Sequence, residues 1–241
     1  MAKNFTPKGN EATDAAKAVA RAHAVYTPLA LTFYDIIVHG LSNRFAWQCP
    51  TSRLTALYEA NVSANHLEAG VGTGLFLDRS GKADFDRLVL LDINRNCLTR
   101  AARRLARFRP TLREVNLLES IAPPMAPFDS VGLTYVLHCL PGSMSEKLKA
   151  IDHLRPVMGE GAVLFGATIL GRGGTPNRAA RALFRVYNAK GVFDNREDDA
   201  EALSEGLKQR FETVEIDRQG CVALFRAKSA KGSLPLPLDG H

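Results

Sequence analysis

At 241 residues with 46% hydrophobic content, the chain can build one large domain with a substantial core. A formal charge of +6 raises a nucleic-acid partner, with a solvated outer helix face as the plain reading of its main arginine run, and no run approaches the roughly 18 consecutive apolar residues of a membrane span. Cys49, Cys97, Cys139 and Cys221 are widely scattered without a Cys-x-x-Cys pair, which argues against a disulfide framework and a thiolate metal site. No metal is expected.

The N-terminal stretch MAKNFTPKGNEATDAAKA has no apolar segment of the secretory type, so a cytoplasmic location is expected. Residues 1–12 read as loose. Helices are predicted from EATDAAKAVARAHAVY, from TPLALTFYDIIVHGLSNRF and, after Pro50, from TSRLTALYEANV. Residues 1–60 are thus expected to form an N-terminal helical extension or lid, residues 61–230 a core, and residues 231–241 a flexible tail. The extension carries Tyr26, Phe33, Tyr34, His39 and Trp47, whose plain reading is packing and whose functional reading is contact with a ligand.

Beyond residue 61 short β-rich runs alternate with amphipathic segments. Strands are predicted at His66–Glu68, Arg87–Leu91, Thr111–Val115, Asp129–Tyr135, Ala162–Ile169, Glu212–Asp217 and Cys221–Ala227. Helices are predicted at Arg95–Phe108, Ser143–Val157, Asn177–Ala189 and Asp198–Arg210. Such alternation implies an α/β fold: a Rossmann-like, seven-stranded, mostly parallel sheet with helices on both faces. The last two runs are joined only by RQG, too short for a parallel crossover, so one strand must run antiparallel.

The first strand leads into LEAGVGTG. Gly70, Gly72 and Gly74 allow a sharp turn and close approach of the backbone to a ligand. The dinucleotide spacing G-x-G-x-x-G would need glycine at position 75, which is Leu75, and Glu68 would repel a pyrophosphate. A carboxylate there suits a ligand bearing an ammonium and a sulfonium. Glu68, Gly70, Gly72 and Gly74 match the acidic-x-G-x-G-x-G pattern of the class I S-adenosylmethionine-dependent methyltransferases, which the chain resembles from residue 66 to about 227.

That resemblance implies S-adenosylmethionine as cofactor and S-adenosylhomocysteine as product. It places Glu68 towards the positive methionine end and Asp92, closing RLVLLD beside Ile93, on the ribose hydroxyls. Asn116, with Leu117, stands where the family often has an aspartate bonding the adenine amino group; a turn or cap role for Asn116 stays open. Tyr26, at a Thr-Pro break, is a further candidate contact to cofactor or acceptor.

The exit of the fourth strand, TYVLHC, resembles the family's small-molecule form and offers Tyr135 and His138 as catalytic candidates. His138 would be a general base, or a histidine that merely bonds neighbouring backbone. Tyr135 would orient the acceptor or pack on the cofactor. A carboxylate needed by metal-dependent relatives is absent from this strand end, and the pair Asp194-Asn195 stands without a partner. The segment GRGGTPNRAARALFRVYNAKGVFDN offers Tyr187, Asn188 and Phe193 as one wall of an acceptor pocket.

The expected function is methyl transfer to oxygen or nitrogen of a small, aromatic or apolar metabolite. An RNA or protein methyltransferase docking through Arg100, Arg103, Arg104, Arg107, Arg109 and Arg113 is the alternative, with a non-catalytic S-adenosylmethionine-binding protein behind it. Nucleic acid and membrane partners are not expected, and a homodimer stays open.

Overall fold

Seven strands form one sheet in the order β3-β2-β1-β4-β5-β7-β6 in the computed structural model, which describes residues 42–122 and 124–230. They are β1 (Asn65–Ala69), β2 (Arg87–Asp92), β3 (Thr111–Glu114), β4 (Phe128–Thr134), β5 (Met158–Ile169), β6 (Phe211–Gln219) and β7 (Val222–Ala230). All pairings from β3 across to β5 are parallel, and β7 runs antiparallel to both β5 and β6. The single antiparallel strand follows from the tight β6–β7 connection, as the sequence requires. The chain winds outward from β1 to β3 and then restarts on the other side of β1 with β4. That reversal opens a cleft at the carboxyl ends of β1 and β4.

Helices α1 (Thr51–Asn61), α2 (Leu75–Asp78) and α3 (Arg95–Arg104) serve one face. Helices α4 (Met144–Lys147), α5 (Lys149–Leu154) and α7 (Ala200–Arg210) serve the other, and α6 (Arg178–Ala189) stands after β5. Side chains alternate between two cores as strand geometry demands: Leu88 and Leu90 join Tyr58, Leu98 and Phe165, whereas Val89 and Leu91 join Val131, Ile151 and Leu207. Helix starts carry side-chain caps from Asn94, Ser143, Asn177 and Asp199, each accepting a first-turn amide.

Several boundaries differ from expectation. The helix predicted over Ser143–Val157 divides into α4, α5 and a 3-10 turn at Arg155–Val157 that accommodates Pro156, and β5 begins at Met158 rather than Ala162. Helix α3 stops at Arg104, short of Phe108, ahead of the left-handed Arg109 and of Pro110. The short α2 has no counterpart in the sequence reading, since four residues are too few for a period to show. Helix α1 packs into the first core through Leu54 and Tyr58, so the chain from Thr51 onward belongs to the sheet's covering layer. Residues 1–41 of the extension or lid expected over residues 1–60, and with them Tyr26, Phe33, Tyr34 and His39, lie outside the described residues, as does the tail from residue 231.

Candidate active site

The glycine loop is the first wall of the cleft. Its amides at Gly70 and Val71 both donate to Leu91 O, at 2.8 and 3.2 Å, tying the turn to the end of β2. Gly70, Gly72 and Gly74 all have positive φ, at 71, 54 and 73°. At Gly70 space adds a second requirement, because a Cβ there would stand 2.2 Å from Val136 Cγ2. Helix α3 holds the loop from the far side: Arg104 Nη1 donates to Thr73 O and Thr73 Oγ1, each at 3.0 Å.

Asp92 ends β2 and faces the same loop. One carboxylate oxygen accepts from Gly72 N–H at 3.1 Å and the other from Asn94 N–H at 2.8 Å. Burial pushes its carboxyl up to about 6, against the opposing effect of the Asn94, Gly72 and Ile93 amides. Each oxygen keeps a lone pair for a hydroxyl donor, and Ile93 lines the cleft beside it.

Glu68 is buried at the end of β1, where its two oxygens have different partners. Tyr58 O–H donates to Oε1 at 2.6 Å, and His66 Nε2 lies 3.0 Å from Oε2. Burial and the Glu68 charge push the Tyr58 phenol up, so it remains a donor. The paired strand leaves room for the carboxylate only because residue 132 is glycine; a Cβ at Gly132 would stand 2.3 Å from Glu68 Oε2.

Asn116 and Leu117 line the cleft beyond β3. The Asn116 side chain accepts from Leu118 N–H at 3.1 Å and donates to Glu119 Oε1 at 2.7 Å, so both ends of its amide serve the local turn. That arrangement supports the turn role left open by the sequence over direct recognition of adenine by the side chain.

Tyr135 follows β4 with φ of 61°, uncommon for a residue with a side chain. Its N–H donates to Ala167 O at 2.7 Å and its hydroxyl to Asn43 Oδ1 at 3.0 Å, so the ring is held at both ends beside the cleft. Three residues on, His138 is buried and its ring meets Phe193 and Tyr135 edge-on. Nδ1 accepts from Ile169 N–H at 3.3 Å, with Thr168 Oγ1 at 3.4 Å. Burial, aided by the Lys147 ammonium, lowers its pKa to about 3. The neutral ring therefore turns its proton-accepting nitrogen to the end of β5. This geometry supports the backbone-bonding reading of His138 over the general-base reading.

Other candidates make contacts within the fold. Trp47 is buried against Phe184 and Phe193, and Asn188 donates to Phe184 O and Asn195 Oδ1. Tyr187 packs on Phe193 with the rings tilted, 4.9 Å between ring centres. Asp194 accepts from Gly142 N–H, and Asn195 donates to Ile169 O. No cluster of metal-ligating side chains occurs among the described residues. Sequence reasoning missed Tyr58, His66 and Arg104 as supports of the site. It also missed the buried Lys147–Asp198 ion pair at 2.7 Å, which joins α4 to the loop before α7.

Comparison with known proteins agrees with this arrangement. Residues 67–164 match a family model described as a methyltransferase domain. The chain is 37% identical over 205 residues to demethylluteothin O-methyltransferase of Streptomyces thioluteus, covering 85% of this chain and 89% of that protein. It is also 37% identical over 217 residues to a physcion biosynthesis cluster O-methyltransferase of Aspergillus chevalieri, covering 88% and 96%. The chain belongs to the S-adenosylmethionine-dependent methyltransferases. The fold likeness extends to N-methyltransferase NodS from Bradyrhizobium japonicum, solved with S-adenosylhomocysteine, at 19% identity and a TM-score of 0.54 over 74% of this chain and 84% of that one.

The methyltransferase's residues fit this cofactor on an observation independent of the motif. The buried Thr134 hydroxyl on the cleft wall lies near the Tyr58 phenol but makes no well-formed hydrogen bond there, a cost that a polar ligand group or water removes. Asp92 adds a half-buried carboxylate whose ionised form gains from hydroxyl donors.

Proposed function

We propose that the enzyme methylates an oxygen of a small, apolar or aromatic metabolite of secondary metabolism. The observation that carries this is the cleft wall after β4, where Tyr135, Cys139 and Leu140, joined by Phe76 of α2, present an apolar, partly aromatic surface next to the cofactor side. The O-methyltransferase relatives named for demethylluteothin and for a physcion cluster support the choice of oxygen and of a small acceptor.

S-adenosylmethionine, when bound, supplies a methyl group activated by a sulfonium. The chain's task is then alignment. Glu68 would face the methionine ammonium, Asp92 would accept from the ribose hydroxyls, and the Asn116–Leu117 backbone would border the adenine. Tyr135, held at its hydroxyl and its N–H, would orient the acceptor for in-line approach, a contribution that reaches about 7–11 kcal/mol in ideal cases. An acceptor hydroxyl acidic enough to ionise by itself, phenolic or enolic, suits a site in which His138 has its free nitrogen tied to β5.

Residues 1–60 are proposed to include the lid over the acceptor, with Tyr26 as its contact to cofactor or acceptor. A cytoplasmic setting is consistent with the unpaired thiols of Cys49, Cys97, Cys139 and Cys221. No helix among the described residues is long and apolar enough to cross a membrane. The basic stripe is partly spent on the fold, since Arg104 holds Thr73 and Arg107 pairs with Asp78 at 2.6 Å. That supports a small acceptor over RNA.

Isothermal titration with S-adenosylmethionine and S-adenosylhomocysteine, with NAD and ATP as controls, tests the cofactor. Phenolic and amine metabolites are then offered with labelled methyl donor. Binding of the first pair alone, followed by label on phenolic oxygen, is expected. Transfer to amines but not to hydroxyls would overturn the oxygen assignment.

A further inference from the structure

The buried group around Glu68 is more elaborate than packing requires. His66 precedes Glu68 by two residues on β1, so both side chains leave the same face of the sheet. The His66 ring lies between Phe85 and Phe165, 6.3 and 5.9 Å from their ring centres, and is fully buried. Its other nitrogen, Nδ1, meets Ser130 Oγ at 2.7 Å across the β1–β4 pairing.

The direction of each bond from Ser63 to His66 Nδ1 follows from the far end of the series. Ser63 Oγ donates to the Asn65 carbonyl, which can only accept. Ser63 Oγ, its one proton used, must then accept from Ser130 Oγ at 2.7 Å. Ser130 Oγ also accepts from Ser63 N–H at 2.9 Å, so towards His66 it has only acceptor capacity left. His66 Nδ1 therefore carries a proton and donates. A single further proton lies on the line between His66 Nε2 and Glu68 Oε2, whichever of the two atoms bears it. The hydrogen bond to His66 offsets part of the cost of burying the Glu68 carboxyl group here.

The other oxygen is fixed independently by Tyr58 from α1. Two hydrogen-bonding partners from different elements thus set the plane of the Glu68 carboxyl group, and Gly132 clears the space for it. We infer that His66 and Tyr58 are positioning residues that orient Glu68 for the cofactor's amino-acid moiety, without touching the cofactor's reacting atoms. The inference rests on the reading of the cleft as a cofactor site.

Titration of wild type, His66→Leu, His66→Gln and Tyr58→Phe with two ligands tests it. S-adenosylhomocysteine has the amino-acid moiety; 5′-methylthioadenosine shares the adenosine and thioether but lacks it. His66→Leu should weaken S-adenosylhomocysteine about tenfold, roughly the loss of one charge-assisted hydrogen bond, and leave 5′-methylthioadenosine within about twofold. His66→Gln, whose amide can still donate to Glu68, should recover most of that loss. Tyr58→Phe should move the same ratio in the same direction, and it carries the test alone if His66→Leu does not fold. Equal loss for both ligands, or lower thermal stability with an unmoved ratio, would make these residues merely structural and overturn the inference. A wild type that binds neither ligand would instead remove the cofactor reading on which it rests.

Discussion

The two carboxylates of the cleft are held in opposite ways. Asp92 is gripped by backbone amides, from Gly72 and Asn94, and stands half-buried at a strand end. Glu68 is gripped by side chains, from Tyr58 and His66, and is buried within the sheet's first layer. Backbone amides two residues on and in the facing loop come with the strand-turn geometry itself, whereas side-chain donors must be brought from elsewhere by the tertiary fold. Asp92 can therefore face a ligand directly with its remaining lone pairs. Glu68 depends on a supporting shell.

The largest expected effect separates them most sharply. Asp92→Ala removes the two charge-assisted acceptors proposed for the ribose, each worth roughly 1.5–3 kcal/mol, and releases Gly72 N–H as well. S-adenosylhomocysteine affinity should fall at least about a hundredfold. Glu68→Gln keeps the size of the side chain and the Tyr58 contact, so it should lose only about tenfold. Titration calorimetry of the two variants compares them directly; equal losses would mean that the manner of holding does not matter and the contrast drawn above fails.

The same contrast explains what was legible in the sequence. Glu68, Gly70, Gly72, Gly74 and Asp92 were legible because positive φ and a strand-end acid leave a trace in local spacing. The sheet was legible because strand runs alternated with helical periods and a three-residue link forced the β6–β7 hairpin. His66 and Tyr58 left no such trace. A lone histidine in a strand looks like any buried histidine, and Tyr58 meets Glu68 only once α1 is laid across β1. His138 left its two readings open for the same reason: its chain position suggests a base, while the burial that lowers its pKa and the Ile169 N–H that Nδ1 accepts come from the tertiary fold. Neither the division of Ser143–Val157 at Leu148 nor the buried Lys147 reaching Asp198 is announced by a helical period.

A pH series sharpens the comparison further. The Asp92 carboxyl sits at about 6 in the ligand-free fold, above its ordinary value of 3.8. Because the folded-state value is raised, Asp92 favours the folded state below about pH 3.8 and loses that contribution as pH rises through 6. At pH 7.5, then, the ionised side chain costs stability until a ligand meets it. Asp92→Asn should raise the unfolding midpoint of the ligand-free protein by a few degrees at that pH, a gain of about 1–2 kcal/mol once partial exposure is discounted. In the wild type, cofactor affinity should be flat above pH 7 and fall towards tenfold per unit below 6, since protonation removes the acceptor. Asp92→Asn should lack that slope in this window. A wild-type affinity that holds down to pH 5 would show that the ribose does not rest on an ionised Asp92.

The smallest effect concerns the loop that both carboxylates border. Arg104 reaches from α3 to Thr73 O and Oγ1, clamping the middle of the glycine loop, while its neighbour Arg103 is exposed. Arg104→Ala leaves the motif glycines and both acids in place but frees one side of the turn. Cofactor affinity should drop about three- to tenfold, mostly through faster dissociation, and Arg103→Ala should change nothing. If the stripe instead served a polyanionic acceptor, both substitutions would act alike, and the losses would shrink at high salt as screening removed the attraction. Stopped-flow dissociation of S-adenosylhomocysteine from the two variants at about 0.05 and 0.5 M salt distinguishes these cases. A loss confined to Arg104 and indifferent to salt places this arginine with Tyr58 and His66 as a support for the cofactor loop, one that a count of surface charges would have assigned to a partner.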